Sequence, residues 1–268
     1  MSLFYLLLVA LIQGVTEFLP VSSSGHLILL PYFTGATDQG QAIDVAVHVG
    51  TLGAVILYFW RDVRVALIGT PRMAMGKIDT EGSKLALLLL ISTIPVIIFG
   101  LIVKTTGLSD SLRSIRVIGW TMLIFGLVLY WFDRRSPVEK NQNNWSLKDA
   151  MILGIWQTIA LIPGTSRSGI TITGARALGY AREDGAKIAM LMSIPTIMAS
   201  GILLGLEVAG DANWELLKHA SIGAVFAFAS ALGALTLMMR LLRSVSFTPY
   251  VIYRVILGIT LLVISYST

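Results

Sequence analysis

"EFLPVSSSGH" (Glu17–His26) directly follows the apolar run "LFYLLLVALIQGVT" (Leu3–Thr16). A carboxylate, three hydroxyls and an imidazole thus fall within ten residues of a chain that otherwise reads as membrane. Hydrocarbon offers no partner to such groups, and a proline ends a helix by removing a donor. The stretch therefore reads as a break between two half-helices. A second apolar region, Ala150–Leu178, is broken in the same manner by "IPGTSRSG" (Ile162–Gly169). Each break has a proline and a glycine close together with hydroxyls between them, which predicts a re-entrant hairpin. Irregular backbone at membrane depth is tolerated only where protein or a water-filled cavity surrounds it.

The rest of the chain supports a membrane setting. Of 268 residues, 55% are hydrophobic and only 13% are charged, with a mean hydropathy of +0.79; soluble domains run at about 25% charged. Six stretches approach the roughly 20 apolar residues that a spanning helix needs: Asp44–Trp60, Leu85–Val103, Val117–Phe132, Ile188–Leu206, Ser221–Met239 and Val251–Tyr266. The expected fold is an all-α polytopic membrane protein with six transmembrane helices and two re-entrant helix pairs. The chain has no cysteine, which excludes a disulfide frame, a thiolate nucleophile and a cysteine zinc site. The opening "MSLFYLLLVA" has neither a basic n-region nor a small-residue cleavage site, so it is not read as a cleaved signal peptide.

Basic residues orient this layout. If neither broken region crosses, one side receives fourteen Lys and Arg, including Arg61, Arg64, Arg134, Arg135, Arg182 and Lys187. The other side receives four, Lys104, Arg113, Arg116 and Lys218. The positive-inside rule puts the richer side in the cytoplasm and both termini outside. The net charge of +5 is then a property of loops at a membrane, with no nucleic-acid partner implied.

The two breaks also resemble each other. "LIQGVTEFLPVSSSG" (Leu11–Gly25) aligns with "IWQTIALIPGTSRSG" (Ile155–Gly169), with Gln13 opposite Gln157. Further on, "RVIGWTMLI" (Arg116–Ile124) resembles "RVILGITLLVI" (Arg254–Ile264). The order and spacing imply two halves, roughly 1–135 and 146–268, within a single membrane domain. Three spans per half would invert the second half relative to the first. Such inverted-topology repeats place their site where the broken helices meet.

The polar residues at the breaks suggest phosphate chemistry. Gln13 and Glu17, four apart, share a helical face, and a buried carboxylate should meet a cation. Ser22, Ser23 and Ser24 supply hydroxyls, one of which should cap the second half-helix. A serine nucleophile needs an activating neighbour, and His26 can move a proton with Glu17 orienting it. In "PGTSRSGIT" (Pro163–Thr171), Arg167 offers a permanent forked charge for phosphate oxygens. Thr165, Ser166, Ser168 and Thr171 add donors, and the following helix aims its N-terminal amides at the same point. Arg254 lies one turn inside the last apolar stretch, either as a second phosphate contact or snorkelling to the interface. Asp44 and His48 share a face of their helix and either line the pocket or pair with each other. The residues alone imply phosphate chemistry on a ligand arriving from lipid.

The motifs "QGVTE", "PVSSSGH" and "PGTSRSGIT", with the tail "SFTPYVIYR", resemble the undecaprenyl pyrophosphate phosphatase family of bacteria, the bacitracin-resistance type, over essentially the whole chain. The resemblance implies hydrolysis of undecaprenyl pyrophosphate, a polyprenyl pyrophosphate lipid, to the monophosphate. This reaction recycles the lipid carrier of cell-wall synthesis in the cytoplasmic membrane and confers bacitracin resistance. It implies Glu17, Ser23, His26 and Arg167 as catalytic residues and Ser166 and Thr171 as part of a phosphate-binding motif; the residues themselves add Ser22, Ser24, Thr165, Ser168 and Arg254 as candidate substrate contacts. It further implies a divalent cation, Mg²⁺ or Ca²⁺, at Gln13 and Glu17. Gln13 stands where many members have Glu, which removes one formal charge from that site. The site is expected nearer the outer face. The competing class is a transporter or flippase of a lipid phosphate, because inverted repeats with broken helices are also a transporter signature. A homodimer is compatible with the sequence, which does not set the oligomeric state.

Overall fold

The computed structural model describes residues 1–208 and 213–267 and is helical throughout, with no strand among those residues. Among the described residues, six helices are long and apolar enough to cross a membrane. They are α3 (Gln41–Tyr58), α5 (Glu81–Thr105), α7 (Ile115–Arg135), α10 (Arg182–Val208), α11 (Trp214–Leu241) and α12 (Thr248–Ser267). Five of them contain an expected span whole, and α3 contains all but the last two residues of Asp44–Trp60. Between them lie two broken pairs, α1 (Leu3–Phe18) with α2 (Ser23–Thr34) and α8 (Leu147–Thr158) with α9 (Arg167–Ala177). At about 1.5 Å per residue, α1 reaches about 24 Å, short of the roughly 30 Å hydrocarbon core. Its partner and the second pair are shorter still. The short α6 (Leu108–Leu112) joins α5 to α7.

One helix was not anticipated. Residues 61–74, expected in a loop, and Trp60, expected at the end of the first span, form α4 (Trp60–Ala74), which continues α3 after a kink at Phe59 (φ −99°, ψ 28°). Its polar face carries Arg61, Asp62 and Arg64, while Leu67 and Ile68 are exposed and Ala66 and Gly69 are buried. This two-faced pattern is that of a helix lying in a membrane interface rather than crossing it.

The outer faces of the spans are greasy: Phe4, Ile202 and Val225 are all more than 60% exposed. Inside, small residues let helix backbones approach, which is how helices associate where lipid removes the hydrophobic drive. A Cβ at Gly50 would sit 2.1 Å from the Ala224 carbonyl oxygen, where α3 crosses α11. A Cβ at Gly258 would sit 2.9 Å from the Gly119 carbonyl oxygen, where α12 crosses α7. The largest buried cluster gathers Phe18, Phe59, Leu129, Ile172, Met190, Leu235 and Phe247, drawn from both halves of the chain. The packing crosses over: α1 lies on α11 and α8 lies on α5, while α3 meets α10 and α7 meets α12. The two breaks are thereby brought together in the middle of the molecule.

Away from the breaks, buried polar groups tie the ends of the spans. Asp133, at the end of α7, accepts from Arg182 at 2.6 Å and from the Phe247 amide, and Arg176 lies 3.4 Å away. Tyr180 donates its hydroxyl to Asp149, which also pairs with Lys140 at 3.0 Å.

Candidate active site

Both breaks use one local device. Ser22 (φ 73°, ψ 92°) and Ser166 (φ 72°, ψ 112°) are the only non-glycine residues with positive φ among the described residues. L-residues pay to occupy this region, and such strain clusters at functional sites. Each serine caps the half-helix that follows, its Oγ accepting from Gly25 N at 3.3 Å or from Gly169 N at 3.1 Å. Each Oγ also lies beside a second serine hydroxyl, Ser24 at 3.4 Å and Ser168 at 3.2 Å. Between the two serines stands Ser23 in the first break and Arg167 in the second, each opening its half-helix.

Those two residues converge on Glu17. Ser23 donates to Glu17 Oε2 at 2.6 Å, and Arg167 donates to Oε1 at 3.0 Å. Gln13 Nε2 donates to Oε2 at 2.9 Å from one turn earlier on α1. Glu17 is buried at 6% exposure. A buried carboxylate persists when a cation and hydrogen bonds replace its water, and here one charged and two neutral donors do so. His48 Nε2 lies 3.8 Å from Oε2.

Glu17, Ser23, Arg167 and His48 wall a cavity of about 160 Å³ together with Ser22, Ser24 and Ser166. Thr196 and Ser200 on α10 complete its polar lining; Ala160 and Ile197 are its apolar members. At about 30 Å³ per water, the space suits a small polar headgroup and not a long chain. A second cavity of about 230 Å³ shares Ser24 and His48 and runs past Gln39, Asp44 and Arg113.

Several expected site residues lie behind this wall. Arg254 has no exposure. It neither touches the cavity nor snorkels, and instead grips backbone: Nε donates to Met122 O, Nη1 to Pro20 O, and Nη2 to Thr121, Gly164 and Thr165 O at 2.9–3.3 Å. A guanidinium can serve so many carbonyls because its donors fan out in one plane, and both breaks are thereby held by one side chain. Ser168 donates to Leu19 O at 2.9 Å, a second tie between the breaks. Thr171 donates to Arg167 O at 2.9 Å within its helix, and the Thr165 hydroxyl is buried without a partner. His26 is not oriented by Glu17. Its Nδ1 lies 2.7 Å from Ser22 O, its Nε2 bonds the Tyr253 hydroxyl, and its ring stacks on Tyr253. Thr196 and Ser200 escaped the sequence reading. Their signal was the spacing of Ser193, Thr196 and Ser200, one helical stripe of hydroxyls in an otherwise apolar span.

The described residues contain no group of three His, Cys, Asp or Glu able to hold a metal ion. Glu17 is the one carboxylate in the cavity, and its oxygens already receive Ser23, Gln13 and Arg167. Gln13 turns its amide nitrogen toward Glu17 while its oxygen is buried without a partner. The residues present therefore do not form a ready cage for the divalent cation that the resemblance implies.

Fold and site together define a polytopic membrane protein with a polar pocket built from two helix breaks. The chain matches the family model "Bacitracin resistance protein BacA" over residues 6–260 and belongs to that family. It is 69% identical over 267 residues to the "Undecaprenyl-diphosphatase" of Ruegeria sp. (strain TM1040), covering 100% of both chains. It is 68% identical over 267 residues to that of Jannaschia sp. (strain CCS1), again over 100% of both. A more distant relative of the same name, from Aliivibrio salmonicida, is 45% identical over 262 residues, 98% of each chain.

Proposed function

We propose that this protein is a membrane phosphatase that hydrolyses undecaprenyl diphosphate to undecaprenyl phosphate and inorganic phosphate, returning the lipid carrier to use in the bacterial cytoplasmic membrane. The observation that carries this reading is the convergence of Ser23 and Arg167, from two separate breaks, on the buried Glu17 beside a headgroup-sized cavity. Bacitracin resistance follows from the same activity, because the diphosphate form of the carrier is consumed. The loop charges support an outer N-terminus, and with it a site toward the outer face, since the first break belongs to the pair that starts there. The matching serine caps of the two breaks and the crossed packing of the helices support two inverted halves with re-entrant pairs.

Arg167 supplies the positive charge that meets the diphosphate and offsets charge in the transition state. Ser23 Oγ attacks the terminal phosphorus. Its proton passes to Glu17, to which it is already hydrogen-bonded. The bridging P–O bond breaks, and the departing monophosphate oxygen takes the proton from Glu17. Serine is a weak nucleophile until such a base lies beside it. His26 acts behind the Ser22 turn, where its bond to Ser22 O steadies the strained cap.

The test is phosphate release by the purified protein in detergent, which needs no second compartment. Wild type should release phosphate, and Arg167→Ala should not. Equal activity in the two proteins overturns the assigned site.

A further inference from the structure

His48 stands on α3 one turn beyond Asp44, and its ring is fixed at one end. Nδ1 lies 2.7 Å from the Asp44 carbonyl oxygen. A carbonyl only accepts, so Nδ1 carries the hydrogen and, in the neutral ring, Nε2 is the bare nitrogen. That nitrogen faces Glu17 Oε2 at 3.8 Å across the headgroup cavity. Two acceptors opposed at this distance have no hydrogen between them. A donor with two hydrogens set beside the gap satisfies both. The His48 side chain is 34% exposed, and it is a wall shared by the headgroup cavity and the larger second cavity. Water can therefore reach the gap from the side away from Arg167.

Building on the phosphatase reading, we propose that His48 and Glu17 together hold the water that completes hydrolysis, delivered through the second cavity past Asp44 and Arg113. Once the phosphoryl group sits on Ser23, the water oxygen forms a bond to phosphorus and the P–Oγ bond breaks. One water proton passes to Glu17 and from there to the departing Ser23 Oγ, so serine and inorganic phosphate are regenerated. His48 accepts the other water hydrogen and keeps the oxygen lone pair aimed at phosphorus. Its role is a hydrogen bond rather than a proton transfer, so a residue with another acceptor should substitute for it.

The experiment is rapid-quench turnover of a prenyl diphosphate labelled in its terminal phosphate, on the full chain in detergent. Wild type, His48→Gln, His48→Leu and Ser23→Ala are compared. His48→Leu should form one equivalent of prenyl monophosphate per enzyme at the wild-type rate and then stall. Label should remain on the protein, and steady-state phosphate release should fall about 100-fold, the usual worth of a well-placed acid–base or water-orienting group. His48→Gln, with an amide oxygen as acceptor, should stay within about tenfold of wild type. Binding of a non-hydrolysable prenyl methylenediphosphonate should be the same in wild type and in the two His48 variants. The proposal is overturned if His48→Leu turns over within twofold of wild type, if its burst and steady state fall together, or if it no longer binds the analogue. Normal turnover in Ser23→Ala would remove the serine step, and absence of phosphate release by wild type would remove the phosphatase reading itself. Both outcomes are distinct from the His48 result.

Discussion

Arg254→Met is the sharpest perturbation of the architecture beneath the site. The change removes a fully buried guanidinium that serves five backbone carbonyls. The carbonyls of Thr121 and Met122 lie inside α7 and keep their helical partners. Those of Pro20, Gly164 and Thr165 lie in the breaks and lose the donor that stands in for water. A buried acceptor left without a partner costs about 1–3 kcal/mol, so three cost at least about 3 kcal/mol. Removing an expensive buried charge offsets part of this, but the methionine offers no donor. For a protein of this size each kcal/mol moves the midpoint by about 2–4 °C, giving an expected fall of roughly 6–12 °C. The assay is thermal unfolding of the purified protein in detergent, with phosphate release measured well below the midpoint. Arg254→Lys should recover part of the loss, since an ammonium has three donors but no planar fork. A midpoint within 2 °C of wild type, together with weakened substrate binding, would refute the clamp and restore Arg254 as a phosphate contact.

Three further outcomes follow from the same geometry. Glu17→Gln takes the carboxylate from Arg167, which is only partly buried at the cavity wall, so the protein should lose about 1–3 kcal/mol of stability and turnover should fall below detection; a normal unfolding midpoint would contradict this. Arg167→Lys replaces two-pronged recognition by a point charge, and kcat/KM should drop at least about 100-fold; a loss under threefold would show that the fork is not used. Gly50→Leu forces a side chain into the α3–α11 crossing, and overpacking of about 1–3 kcal/mol or more should appear as poor yield and a lowered midpoint; a wild-type midpoint would mean that the crossing is looser than described.

Much of this architecture could be read from residues in order. The six spans stand out because length and hydropathy alone decide them. The breaks stand out because Pro20, Pro163 and Gly164 interrupt apolar sequence among hydroxyls. Glu17, Ser23 and Arg167 were legible because a charged or clustered polar group in hydrocarbon needs a reason. α4 was hidden because the charges of Arg61, Asp62, Arg64 and Arg72 outweigh the periodic Val65, Ile68 and Leu67 in a reading built on hydropathy. Arg254 was legible as important and not as a clamp: five carbonyls from three segments have no signature in one chain, since backbone acceptors are everywhere. His48 stayed ambiguous because its spacing to Asp44 fits pairing equally well. Only the placement of Glu17 across the cavity separates the two roles. His26 misled because nearness in sequence to Glu17 says little once the chain turns through Ser22.

Ser168 bonds Leu19 O from one break to the other, and Arg254 grips Pro20, Gly164 and Thr165 at once. The two turns are therefore riveted into one block. Separating the turns would strip Pro20, Gly164 and Thr165 O of the Arg254 guanidinium, and would leave Leu19 O only the Val21 amide of its own turn. The cavity walls that α10 contributes with Thr196, Ile197 and Ser200, and α3 with His48, stand outside that block. A shift of α10 or α3 would leave the ties between the two turns intact, because those ties run within the block.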